Sequence, residues 1–448
     1  MKLQTRKILD RSFSGFGFFS IFLLTASLVV VLAPIFVRGI GAFIFKGTVE
    51  YRRLNYEQFN RGDKDKIEEE TKTTQKFREP VYRMLEEFDK QLDEEEIPNS
   101  HEYESDFREL KTLIRELLGP APDESEPVLM RDKYGLTRWD KSRDHLHQIL
   151  NMETWDYSDT SSMGKKVFVP RIDFYKDTSL AKLFPYMEEN FEKIMRPRLT
   201  FYWQFLKDAS FDAHMFGGIG AEVLGTFYLV LGAMLFAIPM GVIAAVYLAE
   251  FSSAGKIVSL LRVFISTLAG VPSIVFGLFG LAFFINTMKV SDSKSVLAGS
   301  LTLAILVLPT IIRASEEAIR AVPRTYKEAA LSLGAGRLKT VMTVILPAAL
   351  PGILTGIVIS MGRAAGETAP IIFTAAVSVG KPLSLLETLN QPTPALSWNI
   401  YNLVTEHEAV EQIRHVQFGM VFTLVLLVLL LNLGAIILRA RISKKLRG

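Results

Sequence analysis

The sequence has no cysteine and only six histidines in 448 residues. The absence of cysteine excludes disulfide bonds and thiolate metal sites. A phosphate-binding loop of the form G-x-x-x-x-G-K-[ST] is also missing, since the stretch Gly334–Thr340 (GAGRLKT) does not have that spacing. If ATP drives this protein, another chain must therefore bind it. The formal net charge of +3 gives no reason to expect a nucleic-acid partner.

Histidine offers one candidate metal pattern, the H-x-H pair of His145 and His147. A zinc site needs three or four protein ligands, and no clear third ligand stands near this pair in the sequence. We therefore expect a solvated pair, with no metal and no other cofactor bound to the chain.

Apolar residues are abundant, making up 49% of the chain, and many of them occur in long runs. A helix that spans a bilayer needs about 20 mostly apolar residues. A basic N-terminal flank precedes the first run, which is too long for a signal peptide and predicts an uncleaved anchor. Six runs predict spanning helices: Phe16–Val37, Val223–Ala249, Val263–Met288, Ala298–Ile312, Leu350–Ala376 and Phe418–Leu438.

The basic residues at both ends of the chain predict its orientation in the membrane. Lysine and arginine in short flanks favour the cytoplasmic side, which places both termini in the cytoplasm of a multi-pass inner-membrane protein. Residues 1–45 then hold the N-terminal flank and the first span, and 46–215 form an extracytoplasmic (periplasmic), mainly helical domain. Residues 216–448 form a core of five spans with a cytoplasmic loop at 313–347. The fold class is an all-α polytopic membrane protein.

The cytoplasmic loop has the pattern of two short helices joined by a turn. Thr325–Leu333 favours a helix, and Gly334 is a natural helix stop because glycine enters the left-handed conformation freely. Pro347 suits the first turn of the span that follows. Such a protrusion fits a groove on a soluble partner, although a folded linker or a segment on the lipid surface has the same pattern.

The loop resembles the coupling loop of ABC-importer permeases. That signature is E-A-A, three residues, Gly, nine residues, an aliphatic residue, one residue, then L-P. The resemblance implies a type I importer core over roughly 220–438 and a coupling helix at about 323–333 that contacts a pair of separate ATPase subunits. The residues that carry it are Glu328, Ala329, Ala330, Gly334, Val344, Leu346 and Pro347, with Val344 where isoleucine is usual.

The fifth predicted span contains two ionisable residues, Arg363 and Glu367. A charge at the centre of a bilayer is unfavourable by about 2.5–3.5 kcal/mol, so such residues face protein or water. Their spacing of four predicts one helical face, next to the small residues Gly352, Gly356 and Ser360, which allow a neighbouring helix to approach closely. Arg363 offers a planar fork suited to an oxyanion. An Arg–Glu bridge that only locks two helices fits the same pattern.

The run from Arg363 to Pro370 (RAAGETAP) resembles the R-x-x-G-E-T-A-P segment of PstA-like phosphate-import permeases, and Gly270–Leu278 (GVPSIVFGL) resembles another segment of that family. The large insertion at 46–215 departs from the family pattern. The resemblance implies a path for inorganic phosphate that includes Arg363, Glu367 and Thr368. It implies as partners a homologous second permease subunit (PstC-like), an ATPase dimer (PstB-like) and an extracytoplasmic phosphate-binding protein.

The sequence therefore predicts a permease subunit of an ATP-binding-cassette importer for inorganic phosphate, which itself catalyses no reaction. Two alternatives stay open. A permease on the same scaffold for another oxyanion or small solute differs only in the residues of the path. A membrane-anchored sensor would use the external domain as its receptor, although no cytoplasmic output domain is recognisable in the sequence.

Overall fold

The computed structural model describes residues 3–94, 100–122, 124–125, 127–128, 130–156, 164–253, 255–406 and 410–447. The chain folds into two compact units. One is formed by Phe43–Tyr202, and the other by the remainder of the chain on both sides of it. The boundary predicted at residue 215 differs from this division, because residues 203–215 pack with the second unit.

The unit 43–202 consists of helices and two small antiparallel sheets. Strand β1 pairs with β4 and β2 pairs with β3, the first pair joining the two ends of the unit. Its elements are β1 (Ile44–Gly47), α2 (Val49–Phe59), α3 (Lys64–Asp93), α4 (Ser100–Leu118), α5 (Met130–Lys133), α6 (Trp139–Leu150), β2 (Asn151–Asp156), β3 (Lys165–Pro170), α7 (Arg171–Phe174), a 3₁₀ turn (Ser179–Lys182), α8 (Leu183–Met195) and β4 (Arg198–Phe201).

This unit has its own hydrophobic core, in which Phe88, Leu110 and Met187 are fully buried. The core forms because α3, α4 and α8 each carry apolar residues at helical spacing on one face. A buried ion pair accompanies it, in which Arg78 donates to Glu50 Oε1 at 2.6 Å. Pro80 lies inside α3, which continues through it to Asp93.

The second unit holds the long apolar helices. After α1 (Leu3–Ile40), its elements are a 3₁₀ turn (Trp203–Leu206), β5 (Ser210–Phe211), β6 (Phe216–Gly217), α9 (Gly220–Val246), α10 (Lys256–Leu268), α11 (Ser273–Gly280), α12 (Val296–Arg320), α13 (Arg324–Ser332), α14 (Arg337–Thr340), α15 (Leu346–Gly366), α16 (Ala369–Thr374), a 3₁₀ turn (Glu387–Leu389), α17 (Leu396–Thr405) and α18 (Arg414–Arg447). Three π-helical segments, Tyr247–Phe251, Leu281–Thr287 and Val341–Ile345, continue α9, α11 and α14.

Within the described residues, five helical segments are long and apolar enough to cross a membrane: Ser12–Ile40, Gly220–Phe251, Val296–Arg320, Arg337–Gly366 and Arg414–Ile442. A sixth crossing is possible if the bent pair Lys256–Leu268 and Ser273–Thr287 counts as one span. These segments match the six predicted apolar runs in number and order.

Two of the predicted spans are wrong in detail. The run Val263–Met288 is not one helix, because the chain bends by 100° between α10 and α11. Pro272 lacks the amide hydrogen that a continuing helix needs, and with extended backbone it precedes the first turn of α11. The run Leu350–Ala376 is also interrupted, since α15 ends at Gly366 and Glu367 has an extended backbone (ψ 128°).

Helix α12 lies at the centre of the second unit and packs against both α9 and α15. The close approach to α15 depends on glycine: a Cβ at Gly352 would lie 2.6 Å from the Ala318 Cβ, and one at Gly356 would lie 2.3 Å from the Ala314 Cβ. The small residues of the fifth run thus do allow a close neighbour, as predicted. By contrast, a Cβ at Gly366 would meet nothing within 4 Å.

Candidate functional site

The loop between α12 and α15 contains the helix–turn–helix that the sequence predicts. Helix α13 begins after Pro323 and ends at Ser332, and Gly334 follows with a left-handed φ of 79°. The Gly334 amide donates to the Leu331 carbonyl at 2.9 Å, and the Ala335 amide donates to the Ala330 carbonyl at 3.2 Å. The glycine therefore reverses the chain and completes the hydrogen bonds at the end of α13.

The E-A-A residues of this loop differ in exposure. Ala330 is buried, whereas Glu328 and Ala329 are exposed. Two basic residues attach the loop to the end of α9: Lys327 pairs with the Glu250 carboxylate, and Arg337 donates to the Glu250 carbonyl. The other side of the loop carries large apolar side chains that are exposed: Tyr326, Leu331, Leu333 and Leu338.

The second group of predicted site residues lies at the break between α15 and α16. Arg363 is in the last turn of α15, and its Nε donates to Glu367 Oε1 at 3.2 Å. The two residues meet as predicted, but not as neighbours on one continuous helical face, because Glu367 caps the helix.

Most of the N–H donors of the Arg363 guanidinium make no hydrogen bond to the described residues and are therefore available to a ligand. Its side chain is 38% exposed, against 18% for Glu367. Among the described residues, the two terminal guanidinium nitrogens have no hydrogen-bond partner, since the Nε bond to Glu367 is its single contact of this kind. The fork that binds an oxyanion with two parallel hydrogen bonds is therefore open.

The backbone at the break is held by Ser397 in α17. The Ser397 hydroxyl donates to the Glu367 carbonyl at 3.0 Å, and the Thr368 hydroxyl donates to the Ser397 carbonyl at 3.3 Å. The first of these bonds satisfies a backbone carbonyl at the end of the interrupted helix, and the second links the Thr368 side chain to α17. Thr368 thus has a bonding role inside the protein, in addition to the role in the path that the resemblance implies.

Helix α17 is in turn fixed to the start of α9 by buried polar contacts. Asn399 Nδ2 donates to Glu222 Oε1 at 3.0 Å, and His214 Nε2 lies 2.8 Å from the same oxygen. The Leu396 amide donates to Thr226 Oγ1 at 2.9 Å. Sequence analysis did not identify Ser397, Asn399, Glu222 or His214. The sequence does indicate Glu222, because an ionisable residue at the start of an apolar run usually has a polar partner inside the protein.

The break also adjoins the bend of the third predicted span. A Cβ at Gly277 in α11 would lie 2.9 Å from the Ala369 carbonyl oxygen and 3.0 Å from the Pro370 Cα. Only glycine permits this approach of α11 to α16. The two segments that resemble the phosphate-import family, Gly270–Leu278 and Arg363–Pro370, are thus in direct contact.

The expectation of a solvated histidine pair is wrong for His145, which is buried, while His147 is exposed. His145 Nε2 lies 2.9 Å from Glu116 Oε2, and the His147 ring packs against the edge of Phe168. Within the part of the chain that the structure describes, no group of three or more histidine, aspartate or glutamate side chains is arranged to hold a metal ion.

Comparison with known proteins locates the chain among transport proteins. Residues 237–448 match the family model of the binding-protein-dependent transport system inner membrane component. The probable ABC transporter permease YqgI of Bacillus subtilis is 36% identical over 253 residues, which are 54% of this chain and 85% of that protein. The phosphate transport system permease PstA 1 of Mycobacterium tuberculosis is 34% identical over 232 residues, 52% of this chain and 72% of that protein.

Among solved structures, an inward-facing MetNI methionine ABC transporter superposes with a TM-score of 0.41 at 17% identity, over 50% of this chain and 97% of that one. The identity to YqgI extends over most of that permease, and the match to the family model covers the helices that hold the loop and the break. The chain belongs to the family of binding-protein-dependent transport system inner membrane components, in which it is a PstA-like ABC importer permease.

Proposed function

We propose that this chain carries inorganic phosphate across the bacterial inner membrane, together with a homologous second permease subunit. The observation that carries the proposal is the open guanidinium fork of Arg363, paired with Glu367 at a break in a membrane helix. The relatives named as phosphate transport permeases support the choice of ion. A separate ATPase pair, docked on the exposed side of α13, supplies the energy, and an external binding protein delivers the ion.

The charges at the break fit phosphate better than a fully ionised anion. At neutral pH phosphate still carries one or two protons, whereas sulfate carries none. Arg363 attracts either anion, because its terminal nitrogens donate two parallel hydrogen bonds. Glu367 accepts a hydrogen bond from a phosphate hydroxyl but repels an anion that has no proton to donate. Glu367 also neutralises Arg363 when the path is empty, at the 3.2 Å contact in this structure.

Uptake measurements test the proposal directly. A strain that lacks its own phosphate importer permease would be complemented with this chain and its partner subunits, and radiolabelled phosphate uptake would be measured with sulfate as competitor. Restored uptake that sulfate does not inhibit is the expected result. A chain that restores the uptake of sulfate or of another solute, and not of phosphate, would favour the alternative permease for a different ion. Family membership already favours import over the sensor alternative.

The unit 43–202 is proposed to lie on the extracytoplasmic side, between the first two spans. Gln75, an exposed residue of α3, provides a test because the chain has no native cysteine. We expect a Gln75→Cys variant to react with a membrane-impermeant maleimide added to intact spheroplasts. Lys339→Cys, on the exposed side of the cytoplasmic loop, serves as the control that reacts only after permeabilisation. The reverse pattern would contradict the proposed orientation.

Ser397 is expected to affect transport because it holds the break that carries Glu367. A Ser397→Ala variant loses the hydroxyl that donates to the Glu367 carbonyl. A net hydrogen bond contributes about 1 kcal/mol, which predicts a decrease in phosphate uptake of about fivefold at equal membrane abundance. Ser397→Thr should restore much of the rate. Thr405→Ala, also in α17, removes an exposed hydroxyl bonded within its own helix and should change nothing. Equal uptake by the two alanine variants would show that Ser397 has no such role.

A further inference from the structure

The small sheet that joins the two ends of the unit 43–202 has two faces of opposite character. Ile44 is paired with Phe201 and Lys46 with Leu199, so these four side chains share one face. On the other face Phe45 is 8% exposed and packs edge-on against Tyr51 at 5.1 Å, and Arg198 extends from it to pair with Glu70. Alternation along the strands therefore gives an inner face that contributes to the unit's packing and an outer face that contacts little.

The outer face is apolar, although it belongs to a charge-rich unit. Leu199 is 62% exposed, Phe201 is 64% exposed and Ile44 is 42% exposed. One cation, Lys46, is exposed on the face itself. A contiguous group of large apolar side chains in water is unfavourable and marks a surface that contacts another molecule or a membrane.

The position of this sheet in the chain restricts what can cover it. The candidate span Ser12–Ile40 has 29 residues; its most apolar stretch is not buried in the protein, and its C-terminal end packs against α18. A helix of that size is about 44 Å long, which reaches through the hydrocarbon core and both headgroup layers of a bilayer. Ile44 follows Ile40 by four residues, so it lies within about 14 Å of the end of that helix. The outer face is thus tethered at the level of the lipid headgroups.

We propose that the outer face of the β1–β4 sheet rests on the phospholipid surface of the same bilayer and seats the unit 43–202 on the membrane. Phe201, Leu199 and Ile44 enter the boundary between headgroups and acyl chains, where aromatic and aliphatic side chains are favoured. Lys46 on the same face pairs with lipid phosphates. A protein partner would also cover apolar side chains, but the tether to α1 favours lipid, because the exposed apolar stretch of that helix requires a bilayer around it.

Quenching by labelled lipids tests this inference. Single-cysteine variants Phe201→Cys and Leu199→Cys of the full chain would be labelled with a fluorophore and reconstituted in vesicles of phosphatidylethanolamine and phosphatidylglycerol that contain a phospholipid with a nitroxide near its headgroup. The absence of native cysteine makes each label unique. The matched control is Phe168→Cys, which lies on β3 of the same unit and is 53% exposed. We expect several-fold stronger quenching at 199 and 201 than at 168.

Two results would overturn the proposal. Equal quenching at the three positions, whether weak or strong, would show that the outer face has no special relation to lipid. Quenching at 199 and 201 that disappears when the partner subunits are reconstituted with the chain would assign the face to a protein partner. The substitutions replace exposed side chains, and recovery of the intact unit is checked by equal resistance to protease in the three variants.

Discussion

An Arg363→Gln variant is expected to lose phosphate uptake while it remains in the membrane and associated with its partner subunits. Glutamine keeps a polar side chain of similar length but lacks the charge and the fork. Hydrogen bonds to charged groups contribute about 1.5–3 kcal/mol each, so the loss of a two-pronged contact predicts a decrease of at least about a hundredfold. We expect a small effect on folding, because the Arg363 side chain is 38% exposed and its one hydrogen bond among the described residues is to Glu367.

The measurement is the initial rate of radiolabelled phosphate uptake, normalised to the membrane abundance of the chain. Arg439→Gln provides a matched control on another span, where Arg439 donates to the Thr355 hydroxyl at an exposed position. The control should retain normal uptake. Co-purification of the partner subunits with the Arg363→Gln variant separates a lost ion contact from a lost assembly.

Glu367 and the double variant distinguish an ion contact from a structural bridge. Glu367→Gln should impair transport and weaken the rejection of sulfate, because the amide no longer repels an anion without protons. If the pair only locks the end of α15, then replacement of both residues by a neutral, well-packed pair should be nearly harmless. Phosphate flux at the normal rate in the double variant Arg363→Met, Glu367→Met would therefore show that neither residue contacts the ion.

The sequence predicts the membrane segments and the cytoplasmic loop well, because both depend on local patterns. Apolar composition over about 20 residues identifies a span wherever its neighbours lie. The spacing from Pro323 to Gly334 determines α13 in the same local manner, since proline begins the helix and the left-handed glycine ends it.

The interruptions of the spans could not be predicted from composition. Val263–Met288 and Leu350–Ala376 are apolar enough to be continuous helices, yet each contains a break. A break inside a membrane protein requires partners for its unpaired backbone groups, and those partners are distant in sequence. The Ser397 hydroxyl is such a partner for the Glu367 carbonyl. Asn399 holds α17 in place by its hydrogen bond to Glu222, a residue 177 positions away. Contacts across such separations leave no periodic pattern in one sequence.

The second large effect is expected from a Gly334→Pro variant, which should stop transport without removing the chain from the membrane. Gly334 has a φ of 79°, whereas the proline ring holds φ near −65°. Proline also removes the amide hydrogen that bonds to the Leu331 carbonyl at 2.9 Å. Helix α13 would then leave its position beside the end of α9, and the exposed side that we propose as the docking site of the ATPase pair would be misplaced. Glu328→Lys, which reverses an exposed charge on α13, should weaken the same contact.

Two related variants identify the backbone of residue 334 as the cause. Gly334→Ala should have a mild effect, because a Cβ there would meet nothing within 4 Å and only the left-handed conformation, at about 1 kcal/mol, opposes it. Gly336→Pro is the matched control, since Gly336 has a φ of −68° that already suits proline. The measurements are co-purification of the ATPase, phosphate uptake and membrane abundance. Retention of the ATPase and normal uptake in both Gly334→Pro and Glu328→Lys would show that α13 does not couple ATP hydrolysis to transport. Equal losses in Gly334→Pro and Gly336→Pro would show instead that any proline in the loop is disruptive and that the left-handed turn has no particular importance.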